Sequence, residues 1–298
     1  MFLYLPLTKA RGSRRFAQKA FSSDHHVILD LEDTAYDIFD SRRTITLKQK
    51  AREGLSEILP HLAEQELSNT YIRVNALDTP FVDLDLDYIH KLCIEGFRPA
   101  GLFIPKVSSR LHLFKLKQIL DTLSPWHPKL ILMIESEQGF SLLEDLTHAE
   151  PWIYGFHYGH FDYCLSESLW PFPEYGSSLF WINTGRILQA MKKTGISVFV
   201  QSPYPMLEAG SELLSSIHDI GTNILGIHYH ISVLGYKVLV HDKPNNADRF
   251  SADLRLARDL VRQFSGSQAS DRSFASLAGK FTPPHEYLAA VRFLKNLK

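Results

Sequence analysis

Eight short apolar segments recur along the chain, each separated from the next by a stretch of helical spacing, and this alternation restricts the fold more than any other feature. The segments cover residues 2–6, 26–31, 71–75, 101–105, 129–135, 152–157, 197–201 and 223–228 and read as buried strands. Between them the spacing of apolar residues predicts helices at about 12–21, 44–58, 83–95, 108–123, 138–147, 178–194 and 206–219. Strand and helix in alternation require a parallel sheet with crossover helices. An open doubly wound sheet uses the same alternation, but eight is the number of strands that closes a (β/α)8 arrangement, the TIM barrel, and that fold is expected here. Residues 1–230 are assigned to the barrel domain. Residues 231–298, with helical patterns near 251–264 and 283–296, are too few for an ordinary domain and are expected as a helical extension packing on the barrel or on a neighbouring subunit.

Polar residues gather where the apolar segments stop. Asp30, Glu32 and Asp33 end the second, Arg73 and Asn75 the third, Lys106 follows the fourth, Glu135 ends the fifth and Asp162 follows the sixth. Gln201 ends the seventh segment, and His228 and His230 the eighth. In a closed parallel barrel all these ends share one mouth, where catalytic groups and metals sit. Two acids there, Glu135 and Asp162, suit magnesium, which is commonly held by one or two carboxylates with waters and substrate oxygens completing its shell. Glu32 and Asp33 would orient metal-bound waters. Arg73 would face a substrate carboxylate, which a guanidinium binds with two parallel hydrogen bonds, or would pair with the Glu32 and Asp33 acids. Asn75 and His228 join the expected substrate contacts; Asn75 with Asp78 also suits a turn. Asp30 reads as a structural hydrogen-bonder.

Such a site suits reactions through an enolate: a cation chelated by a 2-oxo acid polarises the carbonyl, and Arg73 shares the developing charge. Carbon–carbon bond cleavage or formation beside that carbonyl follows. Lys106 has two readings, a Schiff-base amine or an ion-pair partner, with the ion pair favoured. His157, His160, His228 and His230 bring up to four imidazoles toward the same mouth. One or two are expected to touch substrate or carry protons; a transition-metal site built from them with Asp162 is the lesser reading.

Other classes find little support. A formal net charge of -1 gives no electrostatic case for nucleic acid or an anionic membrane. The opening, apolar first and basic second, reverses the order of a secretory signal, and no apolar run approaches a membrane span, so a cytoplasmic location is expected. Cys93 and Cys164 alone imply neither a disulfide framework nor a cysteine zinc site. No phosphate loop or dinucleotide fingerprint is present.

Several ordered motifs together carry a resemblance. VILDLEDTAYD with the following KQKAREGL, then RVNALDTP, GLFIPKV, MIESEQGF and GHFDY, preceded by LYLPLTKARGSRRFAQKA, resemble the citrate lyase β-subunit-like branch of the HpcH/HpaI aldolase superfamily over about residues 2–165. The resemblance implies a TIM barrel, trimeric or hexameric, that makes or breaks carbon–carbon bonds in 2-oxo acids or 3-hydroxyacyl-CoA thioesters with Mg2+, Mn2+ being the substitute cation. It implies metal ligands at Glu135 and Asp162, a substrate-carboxylate and enolate-binding arginine at Arg73, and the acidic pair at Glu32 and Asp33. It also implies that Arg14, Arg15 and Lys19 could meet CoA phosphates, a solvated helix face being the equal alternative. The chain departs from the family pattern at Tyr163, at Gln201 where an aspartate is common, and at Ile227-His228-Tyr229-His230. Those departures keep two other functions open: a non-lyase barrel that binds a carboxylate metabolite for regulation, and thioesterase or synthase chemistry on an acyl-CoA.

Overall fold

A computed structural model of the chain describes residues 2–8, 10–21, 25–37, 39–146, 150–167, 169, 178–201 and 227–232, and then 255, 257–262, 275–277, 280–282 and 284–296. Eight parallel strands close into a barrel in sequence order: β1 Phe2–Pro6, β2 His26–Asp30, β3 Thr70–Arg73, β4 Gly101–Ile104, β5 Lys129–Ile134, β6 Ile153–Tyr158, β7 Val198–Gln201 and β8 Ile227–Ser232. The ring shuts where Phe2 pairs with His230. Alternation along each strand divides its residues between two layers. Phe2, Tyr4, Ile28, Tyr71, Phe103, Ile131, Met133 and Val200 fill the lumen, while Val27, Leu29, Ile72, Leu102, Ile104 and Leu132 belong to the larger core beneath the helices. Burial on both faces explains why the strands read as unbroken apolar runs.

The crossover helices are α1 Ala10–Phe21, α2 Ser41–Ile58, α3 Glu64–Leu67, α4 Phe81–Ile94, α5 Arg110–Thr122, α6 Glu137–Asp145, α7 His160–Ser166 and α8 Ser178–Thr194. Their starts are capped by short polar side chains: Asp40 accepts from the amides of Arg42 and Arg43, Ser109 from His112, and Ser136 from Gly139. The predicted helix at 206–219 lies outside the described residues.

Two boundaries differ from expectation. The eighth strand runs four residues later than 223–228, because closing the barrel requires pairing with both neighbours, Phe199 with Ile227 on one side and Tyr4 with Ser232 on the other. Asp162 lies in the first turn of α7, which starts immediately after β6 with Gly159 as its cap.

Beyond the barrel come a short antiparallel hairpin, β9 Ala275–Leu277 with β10 Lys280–Thr282, and a last helix, α9 Pro284–Asn296. Ala290 and Leu294 of α9 pack with Ala257, Leu260 and Val261. The same helix sets Tyr287 at a tilt against Phe39, which follows β2, and donates from Arg292 to the carbonyl of Leu165 in α7, which follows β6. Strands four apart are opposite one another in an eight-strand ring, so α9 lies across the C-terminal end of the barrel.

Candidate active site

Asp30 is the last residue of β2 and directly opposes Arg73, the last residue of β3. Both follow the inward alternation of Ile28 and Tyr71. The guanidinium donates from Nε and Nη2 to the two oxygens of Asp30 at 2.7 and 2.8 Å. Its Nη1 donates to Asp33 Oδ2 at 2.8 Å and lies 3.2 Å from Glu32 Oε2. Its carbon sits 4.7 Å from the centroid of the Tyr4 ring below. Asp30 also accepts from the amides of Glu32 and Thr34, both at 3.0 Å, which curls the chain into a 3-10 turn, Asp33–Ala35, and presents Glu32 and Asp33 over the barrel end. From α2 the buried Lys48 secures the same turn, donating to the carbonyls of Leu31 and Glu32 at 2.9 and 2.5 Å.

Lys106 and Glu135 meet on the next sector. Lys106, two residues past β4, donates its amide to Glu135 Oε2 at 2.8 Å and its ammonium to Glu32 Oε1 at 2.6 Å. Of its two readings the structure holds the ion pair. Glu135, 3% exposed, occupies the single position between β5 and the Ser136 cap of α6, which fixes it at the barrel end. Gly159 lies against its other side: a Cβ there would come within 2.8 Å of Glu135 Cδ. Tyr163, the neighbour of Asp162, is buried against Phe140 and donates its hydroxyl to Glu137 Oε2 at 3.1 Å, which ties α7 to α6 and accounts for tyrosine at a position that departs from the family pattern.

The electrostatics of the cluster are those of crowded acids. Burial, then the charge of Asp162, raises the Glu135 carboxyl well above the usual range. Burial and then Asp33 push Glu32 up to about 7 despite Lys106 and Arg73. Burial lowers the Lys106 ammonium, but Glu32, Asp162, Asp33 and Glu135 raise it further, and the result is a lysine that keeps its proton. Among the described residues, Asp30, Glu32, Asp33, Glu135 and Asp162 thus outnumber the cations beside them, Arg73, Lys106 and, from α2, Lys48. The donor set is oxygen-only, anionic and short of positive charge, which fits a hard divalent cation. No group of three or more His, Cys, Asp or Glu side chains suited to a metal exists among the described residues, but two carboxylates suffice for magnesium.

Not every expected residue joins this cluster. Asn75 donates both amide hydrogens away from it, to Asp85 Oδ2 at 2.7 Å and the Leu31 carbonyl at 3.2 Å, and Asp85 in turn takes the Asn75 amide and Arg52. These bonds make Asn75 a joint between β3, α2 and α4. Gln201 turns outward and accepts from Thr184 Oγ1 of α8 at 3.1 Å. Of the four histidines, the two whose side chains are described, His157 and His160, point to different layers. His160 packs outward with Tyr158, 2.8 Å from its hydroxyl, and beside Cys164, whereas His157 stands edge-on to Phe103 within the lumen. His228 and His230 occupy the second and fourth positions of β8 rather than its end; the description of their side chains lies outside the described residues. Pattern reading passed over Lys48, Asp85, Arg52 and Gly159. The first three were legible as charges on buried helix faces, since Lys48 and Arg52 share one face of α2.

An eight-strand barrel with buried carboxylates and an arginine at the C-terminal ends of β2, β3 and β5 defines a carboxylate-lined TIM-barrel site. The chain belongs to the HpcH/HpaI aldolase/citrate lyase family, whose model matches residues 1–216. No curated protein matches it in sequence. Among solved structures, it is similar to the citrate lyase β subunit of Mycobacterium tuberculosis complexed with oxaloacetate and magnesium, at 18% identity and TM-score 0.55 over 80% of this chain and 92% of that one. It is also similar to the Haloferax volcanii malate synthase magnesium/glyoxylate complex, at 14% identity and TM-score 0.67 over 99% of this chain and 89% of that one. RipC from Yersinia pestis matches at 20% identity and TM-score 0.52, over 83% and 96%. These likenesses establish the shared barrel. No helix among the described residues is long and apolar enough to cross a membrane.

Proposed function

We propose that the protein is a magnesium-dependent carbon–carbon lyase or aldolase acting on a 2-oxo acid or a 3-hydroxyacyl-CoA type substrate. The observation that carries this reading is the pair Glu135 and Asp162, two acids that follow adjacent strands of an aldolase-family barrel, the charge of Asp162 raising the proton affinity of Glu135. Glu135 and Asp162 hold the cation, Mg2+ or in its place Mn2+. When bound, that ion polarises the carbonyl of a 2-oxo acid and shares the negative charge that develops on its oxygen. Glu32 and Asp33 orient water around it, and Arg73 binds the substrate carboxylate. Asp33 is the half-exposed partner of Arg73, with 43% of its side chain accessible, so it is the group a substrate carboxylate displaces. Asp30 stays behind to hold the guanidinium in plane. His228 remains a candidate substrate contact from β8. Oxaloacetate, pyruvate and glyoxylate complexes of structural relatives lend support to the 2-oxo acid class.

The same reading extends to residues 231–298 as a helical extension of the barrel, and to a cytoplasmic homo-oligomer, which light scattering tests. The activity itself is tested by incubating the protein and Mg2+ with 4-hydroxy-2-oxo acids and 3-hydroxyacyl-CoA thioesters and following release of pyruvate, oxaloacetate or glyoxylate. Turnover that disappears in Glu135→Ala supports the proposal; full activity in that variant overturns the metal assignment. A second reading, a metabolite-binding barrel without turnover, is favoured by Gln201, which contributes nothing to the mouth. Ligand binding without turnover across the panel would select it.

A further inference from the structure

We infer that Lys106 is a positioning residue that aims Glu135 through its backbone, separately from the ion pair its amine makes. Among the described residues it is the one non-glycine with positive φ, at 56°. That left-handed conformation is sparsely populated for a side chain such as lysine and persists where surrounding structure enforces it. Here the enforcement is visible. Val107, the next residue, donates its amide to the carbonyl of Met133 in β5 at 3.2 Å, and its own carbonyl lies so close to Gly139 of α6 that a Cβ there would sit 2.8 Å away. The turn after β4 is thereby docked on the turn after β5, and the left-handed Lys106 swings its N–H onto Glu135 Oε2.

Gly159 closes the opposite side of the carboxylate. Glu135 is held between a donated hydrogen bond on Oε2 and the bare Cα of Gly159, whose missing Cβ would come within 2.4 Å of Oε1, so the plane of the carboxylate is fixed from both sides. The amine of Lys106 has a different task, neutralising Glu32. Backbone and side chain can be separated by substitution, because glycine and asparagine populate the left-handed region whereas a β-branched residue resists it.

This inference rests on the metal reading proposed above, and the experiment separates the two. Mg2+ binding is measured by titration calorimetry on the whole chain and on Lys106→Gly, Lys106→Asn and Lys106→Val, with thermal melting alongside. All three variants lack the ammonium, so its loss cancels between them. The expected result is that the glycine and asparagine variants bind Mg2+ at least about tenfold more tightly than the valine variant, the scale on which groups supporting metal ligands act. Should the valine variant not fold, Lys106→Ala is expected to fall between the unsubstituted protein and total loss, weaker than glycine. Equal affinities across the substitutions, with only the melting temperature changed, would overturn the inference and leave the metal reading standing. Absence of Mg2+ binding by the unsubstituted protein would overturn both.

Discussion

Arg73 and Asp30 meet face to face on neighbouring strands, the two carboxylate oxygens each accepting one N–H of the guanidinium at 2.7 and 2.8 Å. Neither group reaches bulk water to any extent, Asp30 being fully buried and Arg73 7% exposed. An arginine held so firmly on one edge presents its other edge in a fixed direction, toward Asp33 and the open end of the barrel. Removing one partner of such a pair leaves a buried charge uncompensated. Asp30→Ala is expected to lose about 3 kcal/mol of stability, at the lower end for buried pairs because Asp33 and Glu32 still face the guanidinium. Urea denaturation in the absence of ligand measures it.

Asn75 provides the contrast. Both hydrogens of its amide and its backbone N–H serve Asp85 and Leu31. Asn75→Ala would orphan part of a buried carboxylate and is expected to cost about 2 kcal/mol. The affinity of the folded variant for 2-oxo acids should match that of the unsubstituted protein, and a specific loss of affinity would return Asn75 to the binding site.

The acids make stability depend on pH with an unusual sign. Unfolded, Glu32 titrates near 4.5; folded, burial and Asp33 push it up to about 7. Between these values the folded chain binds more protons than the unfolded one, so Glu32's contribution is greatest below the unfolded value and declines as pH rises through 7. Glu135, shifted in the same direction, adds to the trend. In chelator-treated buffer the Tm is expected to fall between about pH 5 and pH 7, and Glu32→Gln to flatten part of that slope. A Tm that instead climbs with pH in both proteins would contradict the assignment of cause.

Lys106 stays protonated beside Glu32, and a protonated amine is no nucleophile. Borohydride added with pyruvate should leave the intact mass unchanged. A reduced adduct on Lys106 would replace metal chemistry by imine chemistry.

The barrel was legible because its strands are buried on both faces and stand out as apolar runs, and because apolar residues at helical spacing fill the stretches between them. Acids and the arginine at strand ends were legible for the same reason, position after an apolar run. What pattern could not supply was direction. Gln201 also follows an apolar run but alternates to the helix layer, and Asn75, in phase with Arg73, lies beyond the end of β3, where the chain has left the strand and turns its side chain to Asp85. The eighth strand was misplaced because residues 223–232 carry apolar residues in two registers, and only pairing with β1 and β7 chooses between them. The positive φ of Lys106 has no mark in the sequence at all, since lysine does not advertise the left-handed region as glycine does.

The central claim is that Glu135 and Asp162 hold a cation through which a 2-oxo acid binds. Calorimetric titration of oxaloacetate, pyruvate and glyoxylate into metal-free protein, with and without Mg2+ and repeated on Asp162→Ala, tests it most directly. The account predicts binding that requires Mg2+ and is lost in Asp162→Ala; binding indifferent to Mg2+, or unchanged in that variant, would contradict it.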